Sequence, residues 1–197
     1  MNYLSIPFSR KHADLIDVST PHSTADIADS AITSAKLSFA TYEKIYETTL
    51  SSNVTSITIT GLDINSDKQY KLIINLKNGA GSGLFRIYVN NDTTATNYYE
   101  QRLLANDTTV TANRINDCYI DGVTVEAYVE IDIIRTNDGY ILMFVKNSLN
   151  RGSSVYTGVR AISTAGTHTN LTQIDLVGST SGLFGAGTRI MLFKISK

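Results

Sequence analysis

From Tyr42 onward, apolar and polar residues alternate with a period of two, in short runs separated by turn residues. ITIT (57–60) sets Ile57 and Ile59 against threonines, and YKLIINL (70–76) places Tyr70, Leu72, Ile74 and Leu76 on one face. VTVEAYVEIDIIRT (123–136) turns Val123, Val125, Ala127, Val129, Ile131 and Ile133 one way, with Thr124, Glu126, Tyr128, Glu130 and Asp132 opposite. Such alternation predicts strands with one buried and one wetted face, because successive side chains of a strand point to opposite sides. Asn137-Asp138-Gly139 then leads into YILMFVK (140–146), and Asp-Gly between two such runs is a hairpin signal. Further strands are predicted at 43–50, 84–90, 97–104, 115–120, 155–163, 172–177 and 188–195. The last, RIMLFKIS, is apolar on consecutive residues and predicts an interior strand covered on both faces. About ten short strands with no helical period between them predict an all-β, antiparallel sandwich. A jelly roll suits their number and length best, and a closed barrel is the alternative.

Residues 1–41 follow another pattern. They hold both prolines, Pro7 and Pro21, and two of the three histidines. In STADIADSAITSAKLS, apolar residues fall at Ile27, Ala28, Ala31, Ile32 and Ala35, with Leu37 close by, a spacing that fits a helical stripe. Ser23 or Thr24 is placed to cap its start, and Asp26 and Asp29 sit where the helix dipole favours acids. The expected organisation is therefore a helical or extended arm over 1–41 and a jelly-roll sandwich over 42–197. So short a helix is marginal alone. Either the stripe folds back on its own sandwich, or its alanines let three chains approach around an axis. Burying its two isoleucines and leucine is worth roughly 1.5–3 kcal/mol each, against an ordering cost of about 1–2 kcal/mol per residue. In a homotrimer the sandwiches must therefore touch as well.

Composition narrows the function classes. The 197 residues carry 17 Lys+Arg against 18 Asp+Glu, a net charge of -1 that argues against a dedicated nucleic-acid binder. A single cysteine cannot frame a disulfide module. No apolar run approaches the ~20 residues of a membrane-spanning helix, and MNYLSIPFSRKHADL lacks the order of a signal peptide. The expectation is a soluble protein made in a cytoplasm, without membrane insertion. Charged residues make up only 18%, and Thr, Ser, Asn and Gly replace them. Uncharged polar surfaces of this kind are common among proteins that assemble with one another.

Catalytic and metal constellations are weak. Glu126, Glu130 and Asp132 share a strand face at a spacing that paired glycosidase carboxylates require, yet any solvated strand face looks the same. Asp63-Ile64-Asn65-Ser66-Asp67 begins like a calcium loop but has Lys68 where the glycine belongs and Ile74 where the bidentate acid belongs. A turn between strands ending at Thr60 and beginning at Gln69 accounts for it, and a weak calcium site completed by residues of another loop is the alternative. His12, His22 and His168 have no ligand spacing, Cys118 has no partner cysteine, and no GxSxG occurs. GAGSG (79–83) and GLFGAG (182–187) read as turns. No catalytic residue, cofactor or metal is expected. The best ligand candidates are Tyr98 and Tyr99 with Asn91 and Asn97, because tyrosine pairs an apolar ring face with a hydroxyl and amides match sugar hydroxyls. Strand alternation assigns one of the two tyrosines to the core.

ADIADSAITSAKLS resembles the linker of bacteriophage tail-fibre, head-fibre and other virion-surface proteins. The segments SITITGLD…DKQYKLIINL, NNDTTATNYYEQRL and GSTSGLFGAGTRIMLFK are similar to small β-sandwich domains of viral structural proteins. The resemblance implies a non-enzymatic virion component: residues 1–24 attach to capsid or tail proteins, the linker joins three chains, and the sandwich is displayed outward. A long repetitive shaft is missing, which favours a head fibre, decoration protein or spike over a full tail fibre. The alternative is a carbohydrate-binding module that recognises a host cell-surface glycan.

Overall fold

The computed structural model describes residues 41–196 apart from 82, 107, 124–125 and 151–154. The stripe of Ile27, Ala28, Ala31, Ile32, Ala35 and Leu37 lies outside the described residues. The elements are β1 (Thr41–Thr49), β2 (Ser56–Thr60), α1 (Ile64–Asp67), β3 (Gln69–Lys77), β4 (Gly83–Val89), β5 (Tyr98–Asn106), β6 (Thr109–Ile115), β7 (Tyr119–Val123), β8 (Glu126–Arg135), β9 (Ile141–Asn150), β10 (Val155–Thr164), β11 (Gln173–Gly178) and β12 (Arg189–Ser196). The strands form two antiparallel sheets, one ordered β1-β12-β3-β8-β9-β10-β5-β6 and one ordered β2-β11-β4-β7.

This order is a jelly roll with two insertions. Framework strands change sheet at every step except β4 to β7, which pair with each other: β1, β3, β8 and β12 lie in the large sheet, β2, β4, β7 and β11 in the small one. The last two strands return between earlier neighbours, β12 between β1 and β3, β11 between β2 and β4. Hairpins β5–β6 and β9–β10 are inserted into this framework, and both join the large sheet beyond β8, widening it from four strands to eight.

Alternation in the chain produces the core directly. Tyr70, Leu72, Ile74 and Leu76 of β3 and Ala127, Val129, Ile131 and Ile133 of β8 are buried on the inner face of the large sheet. They share one cluster with Ile57 and Ile59 of β2, Phe85 and Ile87 of β4, and Ile174 and Leu176 of β11. The strand boundaries at Thr60 and Gln69 stand as the turn chemistry predicts. Between them Asp63 caps α1, its carboxylate accepting from the Ser66 amide at 3.4 Å.

Two strand expectations are corrected. The predicted strand 115–120 straddles a turn: β6 ends at Ile115 and β7 begins at Tyr119. β6 itself escapes notice because six of its seven residues are exposed, and a strand with no buried face leaves no alternation of hydrophobicity. RIMLFKIS is interior in strand order, but it is covered on one face only. Ile190 and Leu192 are buried, while Met191 and Phe193 on the other face are half-exposed.

The Asn137-Asp138-Gly139 signal does form a hairpin, with Arg135 paired to Ile141 and the Thr136 amide donating to the Tyr140 carbonyl at 2.9 Å. Gly139 has φ +95°, and an added Cβ would meet the His168 carbonyl oxygen at 3.2 Å. Gly139→Ala is expected to destabilise the fold by about 1–2 kcal/mol, the cost of left-handed backbone for an L-residue. Urea unfolding of the variant checks this, and an unchanged midpoint would refute it. No helix among the described residues is long and apolar enough to cross a membrane.

Candidate functional site

Register places distant residues of the large sheet in transverse rows on its outer face. One row runs Tyr99 (β5), Ser163 (β10), Leu142 (β9) and Ile134 (β8). It continues through Gln69 (β3) and Ile195 (β12) to Tyr42 at the sheet edge. The adjacent row begins with Arg114 (β6) and Gln101 (β5) and passes Ala161 and Phe144 to Asp132 and Lys71. Between these rows lies a groove of about 790 Å³ that runs across the strands. Six strand steps of about 4.8 Å put its two tyrosines roughly 29 Å apart along the sheet.

The walls of the groove are apolar and aromatic. Tyr42, Tyr99 and Phe144 are 57%, 43% and 44% exposed, values that a core role does not explain. Arg114 sits over the Tyr99 ring, 5.7 Å from its centroid, and Lys146 over Phe144 at the same separation. Uncharged hydrogen-bonding groups, Gln69, Gln101 and Ser163, lie among the rings.

Four of the charges on this face are paired with one another. Lys71 Nζ lies 2.7 Å from Glu130 and 3.0 Å from Asp132, and Lys146 lies 3.1 Å from Glu130. Hydrogen bonds from Lys71 and Lys146 hold the Glu130 carboxyl below its usual range. Burial pulls the Lys71 ammonium down, but hydrogen bonds to Glu130 and Asp132 prevail and raise it. A general acid near neutral pH needs the opposite shift, so Glu130 is a poor proton donor. Glu126 is exposed at the far end of β8, opposite Lys77.

Beneath the floor is a second charged pair that alternation does not foretell. Glu100 of β5 and Arg160 of β10 are fully buried, with Arg160 Nε 3.2 Å from Glu100 Oε1. Arg160 also donates to Asn147 Oδ1, and Glu100 accepts from the Tyr119 amide at 3.2 Å. The Tyr119 ring lies 5.7 Å from the Arg160 guanidinium and 5.5 Å from that of Arg102. Gly158 makes room, since a Cβ there would stand 2.5 Å from Asn147 Oδ1. Burial pushes the Glu100 carboxyl up to about 7 against the pull of Arg160 and Arg102.

The four ligand candidates read from the chain separate. Tyr98 is fully buried, accepting from the Val89 amide at 3.0 Å and donating to the Asp92 carbonyl at 2.9 Å. It offers no face to a ligand, and that candidacy is withdrawn. Tyr99, its neighbour on the opposite face, lines the groove. Asn91 is exposed at φ +60° in the turn after β4, and Asn97 donates to the Asp92 carboxylate at 2.9 Å. Neither lines the groove. His168 is a loop residue whose carbonyl accepts from Arg135 Nε at 2.7 Å, and burial pushes the Cys118 thiol up. Among the described residues, no three His, Cys, Asp or Glu side chains gather as a metal-holding group. Asp67 of the calcium-like run instead accepts from the Tyr70 hydroxyl at 2.6 Å. Gln69, Gln101, Phe144 and Ser163 were not singled out from the chain. The one signal was YILMFVK, apolar at both parities, which puts Leu142 and Phe144 on a face that alternation assigns to water.

No family model matches this chain, and no curated protein matches it. Among solved structures it is similar to SCP-B, a member of the Eqolisin family of peptidases in complex with the tripeptide Ala-Ile-His. That likeness has 14% identity and a TM-score of 0.26, over 75% of this chain and 65% of that one. It is also similar to scytalido-glutamic peptidase with a peptide-based transition-state analog, at 13% identity and a TM-score of 0.24, over 74% and 66%. The chain thus spans slightly less than two thirds of the length of either. Neither likeness is close enough to assign a fold or an activity.

Proposed function

We propose that this chain is a non-enzymatic structural protein of a virion surface, displaying its jelly roll outward as a homotrimer. The observation that carries the reading is apolar surface left bare on one copy of the sandwich. Leu103, Val110 and Val155 are 52%, 65% and 64% exposed on the outer faces of the inserted strands β5, β6 and β10. The register sets Leu103, Ala105, Val110, Ala112, Thr157 and Val159 side by side, and Lys146, next to Val159, is ion-paired to Glu130 at 3.1 Å. Exposed apolar patches of this kind mark contacts between chains. Three copies can meet there without opposing like charges, which supplies the sandwich contact that the N-terminal stripe alone does not replace. Further support comes from the linker resemblance and from the ion-paired Glu130. In this reading residues 1–24 bind capsid or tail proteins, and Ile27, Ala28, Ala31, Ile32, Ala35 and Leu37 join the chains.

Light scattering on the full chain at micromolar concentration is expected to give three times the monomer mass, and Ile32→Asp to lower it. Mass spectrometry of purified particles is expected to find the chain. A monomeric full-length chain, or one found only in lysate and never in particles, overturns the proposal.

A further inference from the structure

We infer that the groove across the outer face of the large sheet is a binding site for an extended, uncharged saccharide. This deepens the display reading by naming what the displayed face takes. Three features of the groove select the ligand.

The first is direction. The groove runs across the strands, and the backbone groups of its floor are already engaged in the ladders between β5 and β3. An extended peptide bound by strand addition needs a free sheet edge. A saccharide needs no main-chain ladder.

The second is the alternation of ring faces and amides. A pyranose has an apolar C–H face and a rim of hydroxyls that both donate and accept. Tyr99 and Phe144 lie two strands apart in adjacent rows, roughly 10–12 Å by sheet spacing, enough to stack two different sugar rings. Tyr42 stands at the far end. Gln69, Gln101 and Ser163 lie among these rings, and an amide supplies donors and an acceptor together.

The third is charge. Lys71 and Lys146 are matched by Glu130 and Asp132. The Arg114 guanidinium is held over the Tyr99 ring, where it braces that ring. Of these five charges three are cations, so the surplus is a single point charge at the Tyr99 end, not the row of cations that the repeated carboxylates of an anionic sugar would need.

Isothermal titration calorimetry on the full chain tests this with cellohexaose, maltohexaose, xylohexaose and mannohexaose. A hyaluronan hexasaccharide and an unstructured decapeptide serve as comparators. At least one neutral hexasaccharide is expected to bind with a micromolar to millimolar Kd. Tyr99→Ala and Phe144→Ala are each expected to weaken it about tenfold, near the worth of one aromatic contact, with unchanged melting temperatures. Glu126→Gln, on the same face at the far end of β8 and outside the groove, is expected to bind as the parent does. Absence of heat with all four neutral probes at several millimolar overturns the inference. So does binding only of hyaluronan or the peptide, or undiminished binding by both aromatic variants. The display reading is judged separately: a chain found in particles but inert to sugars sinks only this inference, and a sugar-binding chain absent from particles sinks only the other.

Discussion

Arg160→Met is expected to destabilise the fold by about 3–5 kcal/mol at pH 8, because it removes the cation facing Glu100 and leaves that buried carboxyl either uncompensated or forced to take up a proton. For a chain of this length that lowers the melting temperature by about 6–20 °C. The double variant Glu100→Gln/Arg160→Met is expected to recover most of the loss, since a buried ion pair replaced as a pair is often nearly neutral. Urea unfolding of both variants decides the point. A double variant as unstable as the single one would mean that Arg160 acts through Asn147 and Tyr119 rather than through charge. The pair also has a pH signature. The folded chain holds the Glu100 proton more tightly, at about 7 against an ordinary 4.5. The folded state therefore binds more protons between those values, and stability falls as pH rises through that window. This contribution is fully present below about 4.5 and lost above about 7. The wild-type stability minus that of Glu100→Gln should trace that decline, and a flat difference refutes it.

Phe184→Ala is the second large effect, expected to cost about 3–5 kcal/mol, as for a buried aromatic reduced to alanine. Phe184 is fully buried and meets Phe85 of the small sheet edge-on, with ring centroids 5.5 Å apart. Its backbone exchanges hydrogen bonds with Val54 at 2.9 and 3.0 Å, while the next amide, Gly185, donates to the Lys77 carbonyl at 2.7 Å. Truncation opens a cavity that this tied backbone is poorly able to close. Phe184→Leu keeps most of the volume and is expected to lose clearly less. Equal losses for the two would show that shape rather than cavity volume governs the site.

Phe184 also shows how much of the molecule the chain discloses. GLFGAG reads as a turn, and it is one, with Gly182 and Gly187 at positive φ. Its role as a plug does not show, because burial of Leu183 and Phe184 depends on β4 and on the loops after β1 and β3, far away in sequence. The same limit separates Tyr98 from Tyr99. Alternation assigns one of them to the core without saying which, since that depends on which face of β5 meets the small sheet. The candidate groove was less legible still. Of the ligand candidates read from the chain, only Tyr99 lines it.

Sequence alone determined the class of the fold, the hairpin at Gly139, the turn between Thr60 and Gln69, and the inner-face residues of β3 and β8. These features follow from the two-residue repeat of a strand and from local turn chemistry, which act over a few bonds. Tertiary structure decided that β9, β10, β5 and β6 extend one sheet rather than closing a barrel. It also decided that Glu100 meets Arg160 across sixty residues, and that Tyr42 and Tyr99 stand in one row. Those outcomes depend on strand order and register. A period of two repeats identically along every strand, so it says which side a residue faces and nothing about which strand lies beside it.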